Sequence, residues 1–165
     1  MSDQNSKKAL VIVTDGSEEI ETVVSVSVLR RAQIDVTVAG ITLQNENYAK
    51  CNRGVKIVPD PISINISIFF DASSWQICRC NLCWNTPIKS ANINKGGKIT
   101  SHPIVKADLE NEYSYQEDRV VVDNKVVTSR GPGTALLFAL TIVELLLGEE
   151  KRNEVSNHMI VASIL

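Results

Sequence analysis

"KALVIVTDGSEEIETVVSVSVLRRAQIDVTVAG", Lys8 to Gly40, is the stretch on which the fold turns. Its opening run, Lys8 to Val13, is apolar after the lysine and does not alternate, which suits a strand buried on both faces of a parallel sheet. The run stops at Thr14-Asp15-Gly16. Ser17 then stands as an N-cap before a helical segment, with Glu18 and Glu19 at the positive end of the helix dipole. Asp35 to Gly40 reads as a second strand. Residues 8–40 therefore spell one βαβ unit, with strands expected at 8–13 and 35–39 around a helix at 18–32.

Downstream, "GVKIVPD" (Gly54–Asp60) supplies a third short strand, ended by Pro59 and Pro61. At the far end, "KITSHP" reads as a strand running to Pro103. "RVVVDNKVVTSR" (Arg119–Arg130) gives two β-branched runs around Asp123-Asn124, a hairpin signal. "GPGTALLFALTIVELLLG" starts a helix near Pro132 and stops it at Gly148. Its apolar residues surround the helix, so both sides are expected to be buried. The tail from Asn153 suits a further short helix or strand. The whole predicts an α/β chain whose sheet contains residues 8–13, 35–39 and 126–128, packed against helices 18–32 and 133–147.

The middle does not fit this scheme. Ile66 to Phe70 reads as a strand, but it begins too soon after Val58 for a parallel crossover, which needs a dozen residues or more. The following "SSWQICRCNLCWNTPIKSANINKGG" shows neither helical nor strand period, and Pro87 interrupts it. Residues 60–97 are expected to be the least ordered part of a single domain spanning 1–165.

Composition narrows the function. The chain has 165 residues, with 17 basic against 19 acidic side chains, so it lacks the electrostatic footprint of a nucleic-acid binder. No apolar run reaches the length of a membrane span, and the polar N-terminus "MSDQNSKK" is unlike a secretory leader. A cytoplasmic location follows as the expectation, with Cys51, Cys78, Cys80 and Cys83 as reduced thiols rather than disulfides.

The two flanks resemble the ThiJ/PfpI superfamily, and within it the parkinsonism-associated deglycase and chaperone group. The resemblance rests on Lys8–Gly40, on "CNRGVKIVPD", on "KGGKITSHP" and on "VVTSRGPGTALLFALTIVELLLG", in the family's order. It implies a flavodoxin-like three-layer α/β sandwich with a mostly parallel sheet, truncated in its centre. It also implies a homodimer built partly on the first helix, possible nuclear or mitochondrial pools, and no cofactor. Members are described as acting on glyoxals and glycation adducts, as sensing oxidants and as chaperones. Matched motif to motif, the family's site glutamate falls on Glu21, its histidine on His102, and the turn walling its pocket on Gly131 and Pro132. Cys51 and Arg53 match a cysteine and an arginine near the dimer interface. Ile77-Cys78 matches the start of the nucleophile turn, after which Arg79 and the following residues diverge. The family's Pro-Gly-Gly loop, whose N–H groups help hold an oxyanion, has no counterpart here.

Three readings of the cysteine cluster stand side by side. Cys78 or Cys83 is a remnant nucleophile, assisted as a thiolate by Arg79. Alternatively the C-x-C-x2-C spacing with His102 ligates zinc, although structural zinc sites normally use two paired knuckles. In the third reading these are simply exposed thiols, and no metal is expected. His158 reads as a surface residue. Two function classes follow: a cysteine-dependent enzyme and redox sensor acting on small carbonyl compounds or glycated groups, or a non-catalytic variant that keeps only dimerisation and partner-binding surfaces.

Overall fold

The structure, a computed structural model, describes residues 7–61, 76–77, 89 and 92–162. The expected strand at Ile66–Phe70, the cysteines at 78, 80 and 83, and most of the divergent middle lie outside these residues. The chain divides into two compact units, Met1–Ile62 with Ala139–Leu165, and Ser63–Phe138.

In the first unit the βαβ reading holds. Strand β1 (Lys8–Val13) and strand β2 (Asp35–Gly40) pair in parallel, in register from Lys8 opposite Asp35 to Val13 opposite Gly40, and helix α1 (Glu19–Arg31) makes the crossover. The helix cap is displaced by one residue from the expected Ser17. Glu18 caps it, its Oε1 accepting from the Ile20 N–H at 3.4 Å. The Ser17 hydroxyl is already engaged, accepting from the Thr14 N–H at 2.9 Å to close the Thr14–Ser17 turn, where Gly16 adopts φ +80°. Val13, Val38 and Ala49 form a small core against which Val26, Leu43 and Ile57 pack.

Two carboxylates fasten the loops of this unit. Asp15, at the end of β1, accepts from the backbone N–H groups of Gln44 and Lys50, both at 2.7 Å, and these bonds hold its carboxyl below the usual range. Asp60 works at the open edge of β2. Its Oδ2 accepts from the Val38 N–H at 2.8 Å while its own N–H donates to the Val38 carbonyl at 2.9 Å. Arg30 reaches the same edge, donating to the Val36 carbonyl at 3.1 Å and to Asp60 at 3.2 Å. The third strand is β4 (Lys56–Ile57), antiparallel to β3 (Ala49–Lys50), a strand with no distinct sequence signal.

The second unit contains β5 (Gln76–Ile77), β6 (Lys98–Ile99), β7 (Ser114–Tyr115), β8 (Val120–Asp123) and β9 (Val126–Ser129). β5 pairs in parallel with β9, β8 antiparallel with β9, and β6 in parallel with β7. The expected strand to Pro103 is regular only over Lys98–Ile99. Beyond it, the Thr100 N–H donates to the Thr128 hydroxyl at 2.9 Å rather than to a neighbouring strand's carbonyl. The hairpin turn lies one residue later than expected. Asp123 pairs with Val126, and Asn124 (φ +52°) and Lys125 turn the chain. Asp123 instead uses its carboxylate to accept from Lys98 N–H and Asn94 Nδ2, each at 2.9 Å. A Cβ on Gly97 would collide with Asn94 Nδ2 and Asp123 Oδ2, so a larger residue there would displace the Asn94–Asp123 bond. Ile99, Leu109 and Tyr113 form the core of this unit.

Helix α2 (Lys106–Leu109) is a single turn after the 3-10 turn Pro103–Val105. Helix α3 (Ala135–Leu147) follows the 3-10 turn Pro132–Thr134, and most of its residues are buried or half-buried, as its all-round apolar character predicts. Gly148, at φ +90°, donates its N–H to the Glu144 carbonyl and leads into helix α4 (Glu149–His158), so the tail is helical as far as His158.

Candidate functional site

Helix α1 buries the side of itself that ought to face water. Glu19, Glu21, Thr22 and Ser25 are buried beside Val28 and Leu29, while Ile20 and Val23 are 51% and 53% exposed. Glu21 is only 4% exposed. A carboxyl is seldom buried without a specific use, because desolvation penalises its charged form.

Glu19, read from the sequence as a dipole residue only, has a second role. Its Oε1 accepts from the Arg53 backbone N–H at 2.9 Å, and the Asn52 N–H donates to the Ser17 carbonyl at 2.9 Å. The "CNR" loop is thereby docked onto the start of α1. Glu19 Oε2 is buried and has no hydrogen-bond partner among the described residues. Sequence reasoning missed this use of Glu19 because the contact spans 34 positions and involves a main-chain donor. Cys51 is 4% exposed, with its N–H on the Val55 carbonyl at 2.8 Å. Burial, and then the negative charges of Glu19, Glu18 and Asp15, push its thiol above the ordinary range. Both effects favour the thiol over the thiolate. The Arg53 residue is exposed.

In the second unit, His102 and Gly131 meet. His102 precedes Pro103, the first residue of its 3-10 turn, and accepts at Nδ1 from the Ile104 N–H at 3.3 Å. An accepting Nδ1 carries no proton, so a neutral ring has its proton on Nε2. A Cβ built on Gly131 would stand 3.4 Å from His102 Cδ2, so the bare backbone of the turn lies against the edge of the ring. Gly131 has φ +155°, which side-chain-bearing residues rarely adopt. The turn is held by Thr134, whose hydroxyl donates to the Gly131 carbonyl at 2.8 Å and lies 2.5 Å from Ser129 Oγ. Pro132 opens the 3-10 turn that leads into α3.

Of the residues singled out in the sequence, the structure brings His102 to Gly131, docks the Cys51–Arg53 loop on α1, and buries Glu21. Cys78, with Cys80 and Cys83, lies outside the described residues. His158 is exposed. Among the described residues no group of three or more His, Cys, Asp or Glu could hold a metal ion, and no helix is long and apolar enough to cross a membrane.

A parallel βαβ start whose helix buries a glutamate, with a Ser-His-Pro turn set against an Arg-Gly-Pro-Gly-Thr turn further on, describes a class of α/β proteins. The profile of the DJ-1/PfpI family matches residues 7–69 and 80–145, and the chain belongs to that family. Protein dj-1beta of Drosophila melanogaster is 37% identical, over 95% of this chain and 98% of the fly protein. The glutathione-independent glyoxalase DJR-1.2 of Caenorhabditis elegans is 30% identical, over 94% of this chain and 97% of the nematode protein. The crystal structure of Drosophila DJ-1beta superposes with a TM-score of 0.81 at 35% identity, over 95% of this chain and 99% of that one. The flavodoxin-like α/β fold expected from the sequence is thus the fold of this chain. The alignment with dj-1beta runs over 186 positions against 165 residues here, so more than twenty of its positions face no residue of this chain.

Proposed function

We propose that this chain is a weak, thiol-dependent catalyst on small carbonyl compounds (glyoxals or early glycation adducts) that also responds to oxidants. Cys78 is the nucleophile, Glu21 its carboxyl partner and His102 the proton carrier, with Gly131 and Pro132 walling the substrate. The observation that carries this reading is Glu21, a carboxyl buried to 4% exposure in the first turn of α1. The likeness to a relative named as a glyoxalase supports the same chemistry. In the step itself the thiolate sulfur adds to the carbonyl carbon, the C=O π pair moves onto oxygen, and the resulting oxyanion needs donors. The sequence lacks the Pro-Gly-Gly donors, and loss of one such donor costs about 100-fold or more in rate. The family profile also passes over residues 70–79, the interval that includes Cys78. Both points favour low turnover. Methylglyoxal consumption by the purified chain tests this: slow turnover is expected, lost in Cys78→Ser and reduced in Glu21→Ala. Turnover that survives Cys78→Ser overturns the assignment.

A second reading, a non-catalytic variant that retains dimerisation, is favoured by α1. Ile20, Val23 and Val24 lie at helical spacing on its exposed or half-buried side, an apolar stripe that a second copy of the chain would cover. We take the homodimer, with the loop of Cys51 and Arg53 near its interface, as common to both readings, along with a cytoplasmic location and a single-domain chain. Absence of any turnover above a heat-treated control, with a dimer intact by sedimentation, would favour this second reading.

A further inference from the structure

The contact between His102 and Gly131 is framed from outside by a single carboxylate. Lys106 opens α2 four positions after His102, and Arg130 immediately precedes Gly131. Glu117 Oε1 accepts from Lys106 Nζ at 2.7 Å, and its Oε2 accepts from Arg130 Nη1 at 2.6 Å. The same Nη1 donates to the Glu117 main-chain carbonyl at 2.7 Å, so the guanidinium is fixed by two bonds to one residue.

The other side of His102 is anchored to the same segment. Tyr115, at the end of β7, donates its hydroxyl to the Ser101 carbonyl at 2.9 Å and accepts from the Ser101 hydroxyl at 3.2 Å. Lys106 Nζ stands 5.2 Å from the centre of the Tyr115 ring, within cation–π reach. Residues 115–117 thus hold the chain before His102, the chain after it, and the residue before Gly131. Among the described residues the imidazole makes one hydrogen bond of its own, at 3.3 Å from the Ile104 N–H, so its placement depends on this frame.

An isolated surface ion pair usually contributes little, and Glu117 is well exposed. The arrangement here differs because two cations from two loops share one anion. Removing either cation frees one loop, whereas removing the carboxylate frees both.

We propose that Glu117 is a positioning residue for the candidate site: by binding Lys106 and Arg130 together it sets the spacing between the His102 ring and the Gly131 turn. The inference rests on the reading that these two residues belong to the substrate pocket, but its test needs no turnover. In the isotope-labelled full chain at neutral pH, the readouts are the His102 ring cross-peaks and amide exchange at Val105 and Thr134. Those two N–H groups bond the His102 and Gly131 carbonyls. Glu117→Gln is expected to shift the ring signals and to speed exchange at both amides by about 3- to 10-fold. Lys106→Gln should speed only Val105, and Arg130→Gln only Thr134. Exchange within about twofold of wild type at either amide in Glu117→Gln overturns the proposal. If Glu117→Gln does not fold, the single-cation variants decide, and silence in both overturns it equally. Methylglyoxal turnover by the wild type separately tests the pocket reading, so the two failures are distinguishable.

Discussion

Thr128→Val would test how the chain reaches His102. Thr128 is 1% exposed on β9, and its hydroxyl accepts from the Thr100 N–H at 2.9 Å, replacing the strand partner that β6 loses after Ile99. Valine fills nearly the same volume but offers no acceptor, so the substitution leaves a buried backbone N–H without that bond rather than opening a cavity. A buried donor so stranded costs about 1–3 kcal/mol. For a chain of this size each kcal/mol lowers the melting temperature by about 2–4 °C, so a fall of about 2–12 °C is expected. Thr128→Ser is the control. It keeps the acceptor and loses one methyl group, at about 0.5–1.5 kcal/mol. Thermal unfolding gives the sizes, and amide exchange at Thr100 gives the cause: faster in Thr128→Val, unchanged in Thr128→Ser. A Thr128→Val chain as stable as wild type, with Thr100 still protected, would refute the view that a side-chain hydroxyl completes this strand.

Three further outcomes are expected. Cys51 should be alkylated slowly at pH 8 in mass-spectrometric mapping, and Glu19→Gln should speed it several-fold, because removing a nearby negative charge lowers the pH at which the thiolate forms; no acceleration would mean that burial alone governs the thiol. Val23→Lys should weaken self-association by about tenfold or more in sedimentation, since a like-charged pair would be set into a symmetric apolar contact; an unchanged dimer would move the interface elsewhere. Gly131→Ala should cost about 1 kcal/mol for its φ of +155° and displace the His102 ring signals; an unperturbed ring would separate the turn from the histidine.

What the sequence made legible, and what it did not, follows from the range of the interactions involved. β1, α1 and β2 were readable because strand and helix periods are local, and the hydrophobic run of α3 was equally plain. The α1 cap was misplaced by one residue because Ser17 and Glu18 are both able to cap, and only the turn at Thr14 decides which hydroxyl or carboxylate is free. The hairpin was shifted by one because aspartate favours turns, whereas Asp123 spends its carboxylate on Lys98 and Asn94 instead. Strands β3, β5 and β7 are two residues each and leave no periodic trace. Of the residues proposed above for a site, Glu21, His102 and Gly131 were each accessible through motif resemblance. The clasp of Glu19 on Arg53 was not, since a side chain bonding a distant backbone N–H imposes no residue type on its partner.

The bond pair that Asp60 makes to Val38 has a consequence for the chain's behaviour in crowded solution. An outer strand normally offers a row of free N–H and C=O groups on which any extended peptide can grow, the first step of aggregation by edge pairing. On β2 the Val38 N–H and C=O are both taken by Asp60, and the Val36 carbonyl by Arg30. Asp60 imitates one rung of a ladder without belonging to a strand, and Pro59 and Pro61 on either side of it have no N–H with which to continue one. The strand is therefore blunted at its middle by the chain's own loop, and a foreign strand finds no free backbone group at Val38.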